Sequence, residues 1–158
     1  VADLDLSLPV QPAKGYSVTT RRPDRCPQIP FMLVEAKIAA TPMGDKLRFA
    51  GTLELAGMDL SINRRRVAAL MKAVPEYVPA WGQGALELVE VWRGLRPCSP
   101  DGLPYIGRAG AYDNLTVAAG HAMIGVSLGP VTGAVTARIV QGEESGFDMS
   151  LCDVDRYN

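Results

Sequence analysis

A single histidine, His121, in 158 residues leaves no material for a histidine-rich metal centre. The three cysteines, Cys26, Cys98 and Cys152, are odd in number and form no C-x-x-C, so neither a disulfide framework nor a zinc site follows and a reducing compartment fits better. A formal net charge of −1 gives no general pull toward nucleic acid or an anionic membrane. No apolar run approaches the roughly 18 residues that span a bilayer. No G-x-G-x-x-G follows a strand: Gly82-Gln83-Gly84 runs into Ala85-Leu86-Glu87, so the pyrophosphate-binding half of a dinucleotide site is missing. The chain opens at Val1 without methionine, a basic n-region or a signal-like stretch, and reads as a fragment or processed piece.

What is present is a real core. Hydrophobic residues make up 47%, and a length of 158 residues fits one domain or parts of two. Gly15 to Thr20 reads as a short strand, and the proline-bearing stretch from Thr20 to Pro30 as a loop. Val34, Ala36 and Ile38 alternate with Glu35 and Lys37, and Leu47, Phe49 and Leu53 with Arg48 and Glu54. Thr41 to Asp45 turns between them, which predicts a β-hairpin over 32–55. Ser61 or Asn63 can cap a helix whose apolar positions Val67, Leu70, Met71, Val74 and Val78 recur at helical spacing, with Pro75 and Pro79 kinking and ending it. Leu86 to Trp92 reads as another strand.

The remainder has a different texture. Trp92 to Gly107 is a loop stiffened by Pro97, Pro100 and Pro104. Asn114 to Ala119 is a short strand broken by Gly120, and Gly125 to Gln141 a helix ending at Gly142 with Leu128, Val131, Val135 and Ile139 as its buried stripe. Gly125, Gly129 and Gly133 leave a strip without side chains; packing against a sheet suits Gly133, while Gly125 fits either packing or close approach to a flat ligand. The tail from Phe147 to Asn158 is polar and wraps the surface.

Two constellations carry chemistry. An arginine held by prolines, Arg96, offers two parallel charge-assisted hydrogen bonds to a carboxylate; a surface ion pair is the plain alternative, against which the stiff flanks argue. The strand–turn–helix over Leu115 to Val126 presents free N–H groups and a helix dipole to negative charge, although an ordinary βα connection has the same outline. His121 at its start is more often a packed or capping residue than a base. Cys98 has no activating group near it in sequence and suits a buried neutral role. Arg64, Arg65 and Arg66 fall in a first helical turn, where positive charge opposes the dipole, so a solvated face is the default reading and anion binding has little support.

Longer motifs add a resemblance. Pro12-Ala13-Lys14-Gly15-Tyr16-Ser17, Ala40-Thr41-Pro42-Met43-Gly44, and Leu47-Arg48-Phe49-Ala50-Gly51-Thr52-Leu53-Glu54 stand in order with Gly94-Leu95-Arg96-Pro97, Pro100-Asp101-Gly102-Leu103-Pro104 and Ile106-Gly107. Gly120-His121-Ala122-Met123-Ile124-Gly125 and Asp155-Arg156-Tyr157 follow. Over nearly its whole length the chain resembles the C-terminal portion of the FAD-dependent D-amino acid dehydrogenase, glycine oxidase and D-amino acid oxidase (DAO) family.

The resemblance implies an α+β fragment: residues 1–92 form most of an antiparallel-sheet substrate-binding domain, and residues 93–158 the C-terminal strand–helix return of the FAD-binding domain. The N-terminal Rossmann half of that flavin domain is absent. It implies that Arg96 binds the amino acid carboxylate and that the backbone of His121, Ala122, Met123, Ile124, Gly125, Val126 and Ser127 lines the flavin, with no catalytic acid or base and no metal. The expected chemistry is oxidation of the CH–NH bond of a D-amino acid, with hydride passing from Cα to flavin N5 and the imine hydrolysing to a keto acid. That chemistry needs positioning more than proton transfer. The expected partners are FAD, a small amino acid substrate, the N-terminal FAD-binding half of the same protein and an electron acceptor that these residues do not identify, with no nucleic acid. The expected place is cytoplasmic, with peripheral association with the inner membrane allowed by the resemblance.

Departures from the pattern direct the choice within the family. Glycine oxidases carry an arginine and an asparagine inside G-H-x-x-x-G, where Met123 and Ile124 stand here, and a substrate-contacting tyrosine of that branch falls near Ala39. Both changes make the pocket more apolar and point to the dehydrogenase-like branch and a bulkier or cyclic amine. The alternatives are a glycine- or sarcosine-type oxidase and an isolated chain that is a catalytically silent substrate-binding domain.

Overall fold

The computed structural model describes residues 4–82 and 84–157; Gln83 of the Gly82-Gln83-Gly84 run, and the ends at Val1 and Asn158, lie outside them. Seven strands and two α-helices occur among the described residues: β1 (Gln11–Arg21), β2 (Phe31–Leu33), β3 (Ile38–Met43), β4 (Lys46–Glu54), α1 (Arg64–Tyr77), β5 (Leu88–Cys98), β6 (Tyr105–Arg108), β7 (Thr116–Ala119) and α2 (Gly125–Gln141). This is an α+β chain. It divides into two compact units, Lys14–Leu95 and the described residues on either side of it.

The sheet has the order β2-β3-β4-β1-β5. The expected hairpin over 32–55 is a three-stranded antiparallel run instead, because the alternation in Val34 to Lys37 is spent on a turn. Lys37 adopts φ 54 there and its N–H bonds back to Val34 O at 3.1 Å. Period-two patterning does not distinguish four residues of strand from four residues of turn with alternating exposure. The second turn is tight, with Gly44 at φ 60 supplying the left-handed residue between Met43 and Lys46.

Helix α1 forms as its spacing predicts. Asn63 caps it, accepting from Arg65 N–H at 3.2 Å and Arg66 N–H at 3.4 Å, and the chain leaves it at Val78 before Pro79. Leu70 and Val74 are buried against Leu47, Phe49, Ile38 and Trp81, with Val67, Met71 and Val78 around them. Gly51 marks the close approach of strand and helix, since a Cβ there would stand 3.2 Å from Leu70 Cδ1. Burying a side chain such as Leu70 contributes about 1.5–3 kcal/mol.

In the other unit β6 and β7 pair antiparallel, Tyr105 with Ala119 through Arg108 with Thr116, and α2 packs on both. Strand β6 is missed by the sequence reading because four residues among prolines and glycines are too few to show a period. Helix α2 has the expected bounds and ends on Gly142 at φ 77. Its inward stripe is Leu128, Thr132, Val135, Thr136 and Ile139, while Val131 is 41% exposed. A Cβ at Gly125 would stand 3.3 Å from His121 Cβ, whereas one at Gly129 or Gly133 would meet nothing within 4 Å, so those two are not packed within the described residues. No helix among the described residues is long and apolar enough to cross a membrane.

Candidate functional site

The strand carrying Arg96 is longer than its sequence suggests. The expected loop from Trp92 is continuous strand as far as Cys98, so Arg96 is half-buried on β5 rather than on a loop. Pro97 is tolerated at that end because a strand end needs no ladder N–H from it. Strand fixes the backbone of Arg96 more firmly than prolines alone.

Beyond β5 the fold brings together two segments that the sequence separates. Cys98 forms an isolated antiparallel bridge with His121, and Ala122 N–H donates to Pro97 O at 2.9 Å. The backbone beside Arg96 is thereby joined to the turn from which α2 starts. Cys98, which has no histidine near it in sequence, is paired by backbone with the only one in the chain.

The turn itself is shaped by two left-handed residues, Gly120 at φ 81 and Ala122 at φ 49. An alanine there costs of order 1–3 kcal/mol, and such outliers gather at binding sites. His121 Nε2 lies 3.0 Å from Thr132 Oγ1, about two turns into α2, which ties the ring to the helix. That bond gives His121 an anchoring place, in keeping with its reading as a packed or capping residue.

The start of α2 is bare of side-chain caps. Its N-cap is Ile124, with no side-chain cap bond and no acidic residue in the first turn, so the positive end of the helix dipole is uncompensated by its own sequence. Ile124 N–H bonds to His121 O at 3.1 Å and Leu128 N–H to Ile124 O at 2.9 Å. Around this end stand apolar side chains that face outward: Met123 is 70% exposed, Ile124 48% and Val126 96%. Ser127 is exposed and Gly125 begins the helix. An uncapped dipole ringed by exposed apolar groups suits a flat, electron-rich ligand edge.

The other residues singled out from sequence sit elsewhere. Asn63 caps α1, Arg66 pairs with Glu54 at 3.6 Å, and Arg64 with Arg93, Leu60 and Ile62 lines a hollow of about 640 Å³ in the sheet unit. Lys14 of the Lys14-Gly15-Tyr16 run is buried, its Nζ donating to Asp59 Oδ2 at 2.7 Å and to Ser61 O at 2.9 Å. The hydrogen bond to Asp59, foremost, with the Tyr16 hydroxyl and the charges of Asp59 and Glu54, raises the Lys14 pKa against the opposing effect of burial. Tyr16 O–H donates to Glu54 Oε2 at 2.6 Å and accepts from Asn63 N–H at 3.1 Å. The network fixes the start of α1 against β1 and β4.

Sequence reasoning passed over Tyr105 and Arg156 as contributors to the site. Tyr105 is fully buried, and a Cβ on Gly120 would stand 3.1 Å from its Cδ2. Arg156 lies 3.8 Å from the centre of the same ring. The available signal was an arginine in an otherwise acidic tail and an aspartate in the proline loop, which charge pairing could have matched.

The profile of the family described as FAD dependent oxidoreductase (DAO) matches residues 1–139. D-amino acid dehydrogenase of Xanthobacter autotrophicus is 38% identical over 159 positions, covering 99% of this chain and 37% of that protein. The D-amino acid dehydrogenase of Chromohalobacter salexigens is similar at 38% with the same coverage. Glycine oxidase from Geobacillus kaustophilus superposes with a TM-score of 0.88 at 32% identity, over 99% of this chain and 42% of that one. L-proline dehydrogenase from P. horikoshii shares the fold, with a TM-score of 0.84 at 20% identity. The chain thus spans 37% of the length of the curated relatives it matches.

Proposed function

The chain belongs to the DAO family of FAD-dependent oxidoreductases, and from that premise we propose that the whole protein oxidises the CH–NH bond of a D-amino acid. The observation that carries the reading is the backbone joint between the Arg96 strand and the uncapped start of α2. It joins the strand that carries Arg96 to the uncapped helix start, which supports reading the two as one site.

The residues fit a flavin edge by their chemistry. The N–H groups opening α2 lack a side-chain cap, no carboxylate of the first turn competes for them, and the helix is entered through the left-handed residues Gly120 and Ala122. In this reading the backbone of His121, Ala122, Met123, Ile124, Gly125, Val126 and Ser127 holds FAD. When bound, FAD supplies the two-electron acceptor for the amine.

The chain's own contribution is positioning. Arg96 grips the substrate carboxylate through two parallel hydrogen bonds, which fixes where Cα stands. The helix start stabilises negative charge as electrons arrive, an effect that is strong where water is excluded. In this reading the exposed apolar side chains of Met123, Ile124 and Val126 would shed water on covering a bound ring edge, and the His121–Thr132 bond holds the turn in register with the helix. No side chain of this frame is needed as a base, since an amine that has shed its proton reacts directly. Residues 1–92 serve as substrate-binding domain and 93–158 as flavin domain in this reading.

The experiment is steady-state kinetics of the whole protein with D-amino acids. Changing Arg96 to alanine should raise KM for carboxylate substrates by roughly a hundredfold, as expected for loss of a bidentate ionic contact. An unchanged KM would remove Arg96 from the role. A glycine-oxidase reading is favoured by the 32% identity to the Geobacillus enzyme and is separated by oxygen consumption during turnover. The chain alone, without G-x-G-x-x-G, is expected to be silent; flavin absorbance in the purified chain, bleached by a D-amino acid, would contradict that.

A further inference from the structure

The geometry points to Arg156 as a positioning residue for the flavin-binding turn, acting through the Tyr105 ring on Gly120 and so on the start of α2. The inference rests on the reading that His121 to Ser127 hold a flavin, and goes beyond it by giving a role to the far end of the chain.

Arg156 spends every donor it has. Nε donates to Asp101 Oδ2 at 2.9 Å and Nη2 to Asp101 Oδ1 at 3.1 Å and Leu103 O at 2.8 Å. Nη1 donates to Asp153 O at 2.8 Å and Pro104 O at 3.3 Å. A guanidinium has five N–H groups in a fixed fork, and all five are directed at one loop and its own strap. The neighbouring residues are tied down as well: Val154 is 1% exposed, and Asp155 Oδ2 accepts Gly110 N–H at 2.7 Å.

The loop so held is Asp101 to Tyr105. Its last residue is clasped further, since the guanidinium carbon stands 3.8 Å from the Tyr105 ring centre and the Tyr105 hydroxyl donates to Pro9 O at 3.0 Å. The ring then meets Gly120, where an added Cβ would stand 3.1 Å from Cδ2 and 3.5 Å from Cε2. Gly120 is the first left-handed residue of the turn and is followed by His121 and Ala122. A chain of contacts therefore runs from Arg156 to the ring, from the ring to Gly120, and from Gly120 into the N–H groups that open α2. An exposed ion pair kept only for stability would not need a five-donor fork laid on a buried aromatic.

The test uses Arg156→Lys and Arg156→Ala in the whole protein, reading the FAD dissociation constant, the flavin reduction potential and the melting temperature of the flavin-free form. Lysine keeps the charge but loses the fork and the flat stacking surface. Arg156→Lys should weaken FAD binding by roughly tenfold to a hundredfold, the scale of a small misplacement of binding groups, and shift the potential. A purely structural role would lower the melting temperature and leave both flavin readouts of the folded protein at wild-type values; that result overturns the inference. Should Arg156→Ala fail to fold, the lysine variant decides alone. A wild-type protein that binds no flavin overturns the flavin reading and the inference together, whereas wild-type binding with an unchanged Arg156→Lys overturns only the inference.

Discussion

Pro97 and Ala122 are joined by one backbone hydrogen bond of 2.9 Å, and next to it Cys98 pairs with His121. Through this joint the end of a long strand sets the position of a helix start. The two segments are well separated in sequence, and neither has a pattern that names the other.

The joint holds Ala122 at φ 49, so its side chain decides how much strain the turn carries. Ala122→Val should destabilise by about 1–3 kcal/mol, because a β-branched residue tolerates the left-handed region poorly. Ala122→Gly should stay within about 1 kcal/mol of wild type, relief of strain offsetting the extra freedom of the unfolded chain. Thermal unfolding of both variants checks this, and equal losses would contradict it.

The Asp101–Arg156 pair predicts a pH dependence. The hydrogen bonds from Arg156, foremost, hold the Asp101 carboxyl well below the ordinary carboxylate range. A depressed folded value means that its stabilisation is present above the unfolded pKa of about 3.9 and is lost as pH falls toward the folded one. Asp101→Asn should therefore melt below wild type at neutral pH, with the gap closing as pH drops under about 4. A gap that stays constant to low pH would remove the pair from that account.

Tyr16 makes two bonds with one hydroxyl, to Glu54 and from Asn63 N–H. Tyr16→Phe leaves the Asn63 N–H without that acceptor and should cost about 1–2 kcal/mol. The loss should appear in amide exchange at the start of α1 before it appears elsewhere. Unchanged protection there would show that the network does not hold the helix end.

Phe49 is fully buried and its ring stands 5.8 Å from that of Trp81. Phe49→Ala should cost about 3–5 kcal/mol through lost burial and the cavity left behind. Trp81 fluorescence should change with it, since the ring loses its edge-on neighbour. Phe49→Leu, which keeps most of the volume, should cost less.

Local patterns were enough for the helices. Asn63 as cap, the Val67–Leu70–Val74 spacing and Gly142 as terminator each act within a few residues, so α1 and α2 could be read with their ends. The family could be read because its motifs keep their order and spacing, and the α+β class came with it. Strand continuation was harder: prolines at 97 and 100 look like a loop, yet β5 runs on through Arg96 to Cys98, where it bridges to His121. The same limit hid β6, and it made a turn at Val34 to Lys37 look like strand.

The amino-acid sequence by itself determined which segments become helix and which family the chain belongs to, because these rest on short-range geometry and ordered motifs. Only the tertiary structure decided that His121 meets Cys98, that Arg156 closes on Asp101 and Tyr105, and that Gly129 and Gly133 face open space. Such pairings depend on how strands align and how the chain returns on itself, and side chains 55 positions apart carry no local sign of that.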